Sequence, residues 1–161
     1  LIKRKRVEEF IKLAKEFPML NFKIVGDGSE KERLMQLASE NVRFLGGLDH
    51  SEVNEIFKKS DVMFLPSKSE GFPKVILEAA AAGIPSIVYS DYGASEWIVN
   101  KENGFVINNF EQLTATIRAL IDDKNLLLKN SEGAILMAKK FDWQYVINNW
   151  EKVIIDLYNG K

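Results

Sequence analysis

Two rhythms of apolar residues alternate along the chain. Short β-rich runs recur at FKIV (22–25), VRFL (42–45), VMFL (62–65), SIVY (86–89) and GFVI (104–107). Between them, apolar residues return at helical spacing. Over 7–17, Val7, Phe10, Ile11, Ala14 and Phe17 share one face, and Pro18 closes the helix. A second helix is predicted over 30–39, with Leu34, Leu37 and Ala38 inward, and a third over 51–59, with Val53, Ile56 and Phe57 on one face. A fourth spans 73–82, with Pro73 at its first position and Gly83 past its end. After the last strand the pattern is helical over 110–122, 125–140 and 142–158.

Strands that alternate with single helices form βαβ units and hence a parallel sheet. Short strands that are apolar on both sides suit a sheet covered on both faces. The expected fold class is therefore α/β, a Rossmann-like parallel sheet with helices on both faces. No repeat, linker or low-complexity tract divides residues 1–161, so one domain is expected. The first helix has almost nothing before it. A βαβ fold places a strand there, so that strand is expected to be largely missing, with Leu1-Ile2 as its last residues at most.

Composition removes several function classes. The chain has no cysteine, which excludes disulfides, thiolate zinc sites and cysteine nucleophiles. One histidine, His50, argues against a histidine-rich metal site or a Ser-His-Asp triad. A net charge of −1 supplies no bulk field for nucleic acid or an anionic membrane. No apolar run reaches the ~18 residues of a membrane span, and the basic N-terminus lacks the apolar stretch of a signal peptide. A cytoplasmic location is the default expectation.

Candidate chemistry lies where the strands end. In open α/β sheets, ligands bind outside the carboxyl ends of the strands. Three loops fall there: Gly26-Asp27-Gly28, Gly46-Gly47, and Pro66 to Phe72 leading into the helix at Pro73. Glycines let backbone approach a ligand, and a helix N-terminus offers free N–H groups and partial positive charge. Any one such loop can simply turn the chain, but three at one edge favour a phosphate-bearing ligand. A dinucleotide fingerprint is incomplete, since Lys31 stands at the third glycine position of G-x-G-x-x-G, although Asp49 follows at a distance suited to ribose.

The stretch SEGFPKVILEAAAAGIP (69–85) carries Glu70 at the mouth of this crevice and Glu78 in the second helical turn. Helical side chains lean toward the N-terminus, which brings the Glu78 carboxylate back toward the mouth. A surface pair of Lys74 with Glu78 is the alternative, and periodicity leaves the two readings even. The basic run Lys3-Arg4-Lys5-Arg6 reads as a solvated helix start, a nucleic-acid signal, or a lysine aimed at phosphate. His50 reads as a cap or surface residue. Trp143, Tyr145, Val146 and Trp150 have the spacing of a core face rather than a stacking platform. No Asp-x-Asp pair is present to hold a divalent metal.

These blocks in this order resemble the C-terminal, donor-binding domain of family-4 retaining glycosyltransferases, the C-terminal half of a GT-B fold. The resemblance runs through LIKRKRVEEFIKLAKEF, FKIVGDGSEKERLMQLA, VRFLGGLDHSEVNEIFKKSDVMFLPS, SEGFPKVILEAAAAGIPSIV, GASEWIVNKENGFVI and FDWQYVINNW, with Glu70 and Glu78 as an E-x₇-E motif. It implies transfer of a sugar from a nucleotide diphosphate sugar, UDP favoured over GDP, to a hydroxyl acceptor, with retention and with no metal or other cofactor. By position, Glu78 binds the ribose hydroxyls and Glu70 contacts the donor sugar. Backbone N–H groups around Gly71, Phe72, Lys74 and Val75 hold the diphosphate, and Lys5 neutralises it. Gly26 and Gly28 border the donor, and backbone near Leu45 meets the base.

The resemblance also implies polysaccharide or glycolipid synthesis and an N-terminal acceptor domain absent from these residues. It implies that the full-length protein can associate peripherally with the inner face of the membrane. The family's arginine would fall just before Leu1, and Pro73 stands where the family often has glycine, which removes one N–H from the phosphate site. A nucleotide-sugar epimerase of GT-B type and a non-enzymatic phosphate-ligand module are the rival readings.

Overall fold

Five parallel strands carry the structure, a computed structural model that describes residues 1–159. They are β1 (Phe22–Val25), β2 (Val42–Gly46), β3 (Met63–Leu65), β4 (Ser86–Tyr89) and β5 (Gly104–Ile107). Each lies within a residue or two of its predicted position. The helices are α1 (Val7–Glu16), α2 (Lys31–Leu37), α3 (His50–Phe57), α4 (Lys74–Ala81), α5 (Phe110–Asp122), α6 (Lys124–Lys139) and α7 (Trp143–Tyr158). This is the expected α/β fold with helices on both faces.

The strands form two parallel sheets rather than one: β1–β2, and β3–β4–β5. Among the described residues β1 pairs only with β2, and β3 only with β4, so two strand edges face each other unpaired. A cavity of about 1150 Å³ opens between them, lined in part by Phe22 of β1 and Phe64 of β3. Leu1 and Ile2 belong to no strand. Phe10 of α1 bridges the gap. Its ring meets Phe22 edge-on at 5.1 Å and stacks near Phe64 at 6.2 Å.

The alternation of side chains along β4 sorts the core. All four of its residues are buried. Ile87 and Tyr89 join Leu13 and Ala14 of α1, Phe17 at its C-cap and Leu113 of α5. Val88 points the other way, into Ile76 and Ala80 of α4 and Ala134 and Met137 of α6. A period of two therefore places helices on opposite faces of one strand. A third cluster, Ile11, Ile24 and Leu34, fixes β1 to α1 and α2.

Four sequence expectations change here. Leu37, predicted inward, is exposed, and only Leu34 anchors α2. Pro73 is not the first helical residue but the N-cap of α4, with φ −75° and ψ 102°. The basic run is not the start of α1. Lys3–Lys5 form a separate 3₁₀ turn, broken from α1 by Arg6 in the left-handed region at φ 46°. Finally, α7 buries no residue, and Trp143, Tyr145 and Trp150 are exposed. Its periodicity is amphipathic, but no described element lies against it closely enough to cover it.

Candidate functional site

The carboxyl ends of the strands gather the predicted loops. After β1, Gly26 and Gly28 take φ 113° and φ 153°, values that a side chain rarely tolerates. The turn between them is pinned by Asp27, whose carboxylate accepts a 2.6 Å hydrogen bond from the Gly47 amide and pairs with Lys31. These bonds hold the Asp27 carboxyl below its ordinary range, the Lys31 hydrogen bond first and the Gly47 amide second. The first two glycine turns are thus tied edge to edge.

Beyond β2, Asp49 caps α3. It accepts from the Glu52 amide, and Glu52 accepts in return from the Asp49 amide, each at 2.9 Å. This reciprocal capping box commits the carboxylate that a dinucleotide reading would give to ribose. Leu45, with Leu48, Ser51, Glu52, Glu55 and Ile56, lines an open pocket of about 420 Å³ beside this helix.

The third loop, from Pro66 to Pro73, holds Glu70 and leads into α4. Glu70 is 65 residues from Lys5 in sequence, yet Lys5 Nζ donates to Glu70 Oε1 at 2.5 Å. The Glu70 side chain is only 14% exposed. Burial pushes its carboxyl up, but the Lys5 hydrogen bond and the charges of Lys5 and Arg4 outweigh this and hold it below the usual range. Gly71 has open space where a Cβ would stand. The Phe72 ring turns outward against Trp97 and Phe141, each at 5.2 Å. Lys74 and Val75 open α4, so their amides lack the acceptors that residues deeper in a helix have.

Glu78 lies one turn further along α4 and is about one-third exposed. Among the described residues the basic side chain nearest its carboxylate is His50, with Nδ1 3.7 Å from Oε1, and not Lys74. His50 is thus a surface residue, as expected, at the first position of α3, while Phe57 and Val53 of α3 pack that helix against Ala79 and Val75 of α4. Leu48, His50, Val75 and Glu78 together line the upper end of the inter-sheet cavity.

The structure also recruits residues that the sequence did not single out. Arg6 reaches the carbonyls of Pro66 and Ser67 and the carboxylate of Asp91, and its guanidinium lies over the Tyr89 ring at 4.3 Å. The only local signal was its place in a basic run. Among the described residues no three carboxylate or imidazole groups converge as a metal site, and no helix is long and apolar enough to cross a membrane.

A parallel α/β scaffold with glycine turns, a helix N-terminus and a lysine–carboxylate pair at one edge defines an α/β domain with its candidate site at the carboxyl ends of the strands. Residues 1–137 match the family model of glycosyl transferases group 1, and the chain belongs to this family. It is 33% identical over 150 residues to an uncharacterized glycosyltransferase of Haemophilus influenzae, covering 88% of this chain and 42% of that protein. The fold matches the GtfA/B complex with a TM-score of 0.84 at 21% identity, over 99% of this chain and 35% of that one. It also matches the pneumococcal O-GlcNAc transferase GtfA, solved with UDP and GlcNAc, with a TM-score of 0.80 at 23% identity, over 98% of this chain and 34% of that one. The chain thus spans less than half the length of these relatives.

Proposed function

We propose that this chain is the donor-binding domain of a retaining glycosyltransferase that takes a UDP-sugar and transfers the sugar to a hydroxyl acceptor in polysaccharide or glycolipid synthesis. The observation that carries the reading is the Lys5–Glu70 pair set beside the N-terminus of α4. It combines a cation, a carboxylate and the amides that open a helix at one end of the strands. A nucleotide diphosphate sugar needs those three groups, for phosphate charge, sugar hydroxyls and phosphate oxygens respectively.

In this reading the Glu78 carboxylate accepts hydrogen bonds from the ribose hydroxyls, and Glu70 contacts the donor sugar. The amides around Gly71, Phe72, Lys74 and Val75 hold the diphosphate. Gly26 and Gly28 border the donor, and backbone near Leu45 meets the base beside the pocket that Leu45 lines. When the bond from anomeric carbon to diphosphate oxygen breaks, negative charge grows on the leaving group. Lys5 and the preorganised amides stabilise that charge, which is worth most where water is excluded. This assigns charge neutralisation to the protein and calls for no metal ion. UDP is favoured over GDP because a structural neighbour, the pneumococcal enzyme, was solved with UDP.

The acceptor side would come from a further, N-terminal domain of the whole protein, working in the cytoplasm at the inner face of the membrane. Accordingly, residues 1–161 alone are expected to bind donor weakly and not to turn over. Isothermal titration with UDP, UDP-glucose, UDP-GlcNAc and GDP tests the reading. Heat from the uridine ligands is the expected result, and silence toward every nucleotide in a folded sample overturns it.

A further inference from the structure

Lys5 sits on a four-carbon stem with many rotamers, yet it meets Glu70 across 65 residues of sequence. What holds the two in register lies on either side of them. One residue before Lys5, the Arg4 carbonyl accepts from the Lys68 amide at 3.1 Å. One residue after it, Arg6 Nε donates to the Pro66 carbonyl at 2.8 Å and Nη2 to the Ser67 carbonyl at 3.2 Å. Both tethers land on the segment that leads directly into Glu70.

Arg6 pays for this position in backbone conformation. At φ 46° and ψ 37° it occupies the left-handed region, which is unfavourable for a residue with a Cβ. The kink separates the Lys3–Lys5 turn from α1, so that the Lys5 side chain turns to the 66–70 loop while the Arg6 side chain enters between the ends of β3 and β4. There it also pairs with Asp91 and covers the Tyr89 ring at 4.3 Å. The guanidinium thus touches the exit of β3, the last residue of β4 and the turn after it. Only a planar fork with several fixed donors makes those contacts together; a lysine ammonium does not.

We propose that Arg6 is a positioning residue: its guanidinium locks the 3₁₀ turn to the β3–α4 loop and so fixes the geometry of Lys5 against Glu70. The consequence for donor binding rests on the function proposed above. The locking itself does not, because it rests on hydrogen bonds among the protein's own residues.

The test follows the Glu70 carboxyl carbon by NMR through a pH titration, in the wild type and in K5A, R6G and R6K, alongside calorimetry with UDP. K5A is expected to raise the Glu70 titration point, because its main cation is gone. Arg6→Gly accommodates the left-handed backbone but removes the fork, and it is expected to shift Glu70 in the same direction and to weaken UDP several-fold. Arg6→Lys keeps the charge and is expected not to restore either property.

A role confined to stability predicts a lower melting temperature with Glu70 unmoved in both Arg6 variants, and that outcome overturns the proposal. If R6G does not fold, R6K carries the same comparison. If the wild type ignores UDP, the donor-binding reading fails, while the Glu70 titration still decides the role of Arg6.

Discussion

Lys5 Nζ and Glu70 Oε1 stand 2.5 Å apart, joining the first turn of the chain to the loop before α4. The pair predicts a pH dependence with a definite sign. The Glu70 carboxyl is held below its usual value of 4.5: burial raises it, and the Lys5 hydrogen bond and nearby positive charge more than offset that rise. A carboxyl lowered on folding stabilises the fold fully above the unfolded value, and the stabilisation fades as pH falls through the folded one. Urea unfolding of wild type and K5A should therefore differ near neutrality and converge under acid. A difference that persists well below the ordinary glutamate range would contradict the assignment.

The two glutamates should separate in binding. Glu78 is assigned to ribose and Glu70 to the donor sugar, so UDP, which keeps the ribose but lacks the donor sugar, should sense mainly Glu78. Hydrogen bonds to a charged group are worth roughly 1.5–3 kcal/mol, or about 10- to 100-fold in Kd. Glu78→Ala is expected to weaken UDP by that much in calorimetry, and Glu70→Ala by only a few-fold. Equal losses would undo the division of roles.

Gly133 tests packing against propensity. In the middle of α6, alanine would ordinarily gain about 1 kcal/mol over glycine. Here a Cβ at 133 would stand 1.8 Å from the Glu102 carbonyl oxygen. Backbone must move, and overpacking of this kind costs roughly 1–3 kcal/mol. Gly133→Ala should lower the melting temperature by several degrees, measured by circular dichroism.

Asp49 is a structural carboxylate in this structure, held in the capping box with Glu52. Asp49→Ala should cost about 2–4 °C in Tm, as loss of a helix cap does in a chain of this size. UDP affinity should stay within twofold. A large loss of affinity without a loss of stability would return Asp49 to the ligand.

The elements were legible because their signals are local. FKIV, SIVY and GFVI became β1, β4 and β5 at the predicted positions, and Gly83 ends α4 as read, with φ 77°. The N-terminal turn was not legible. Lys3-Arg4-Lys5-Arg6 looks like four solvated cations, and nothing nearby in sequence says that Arg6 takes φ 46° or finds Pro66, Ser67 and Asp91. The exposure of α7 was equally hidden. A helical stripe of Trp143, Val146 and Trp150 shows which face is apolar, not whether anything lies against it.

Glu78 shows the same division between sequence and structure. Spacing could not choose between Lys74 and the crevice, because both lie within reach of one helical turn. The tertiary structure sets the Glu78 carboxylate at the cavity mouth, 3.7 Å from His50 of α3 and in no ion pair with Lys74. The sequence by itself determined the alternation of strands and helices, the glycine turns and the place of the two glutamates on loop and helix. Those follow from backbone preferences and from periods of 2 and 3.6 residues, which act over a few neighbours. Only the tertiary structure decided that Lys5 meets Glu70, that Arg6 holds the loop between them, and that the strands divide into two sheets. Those depend on groups tens of residues apart meeting in space, and no local pattern encodes which of the available charges or edges will meet.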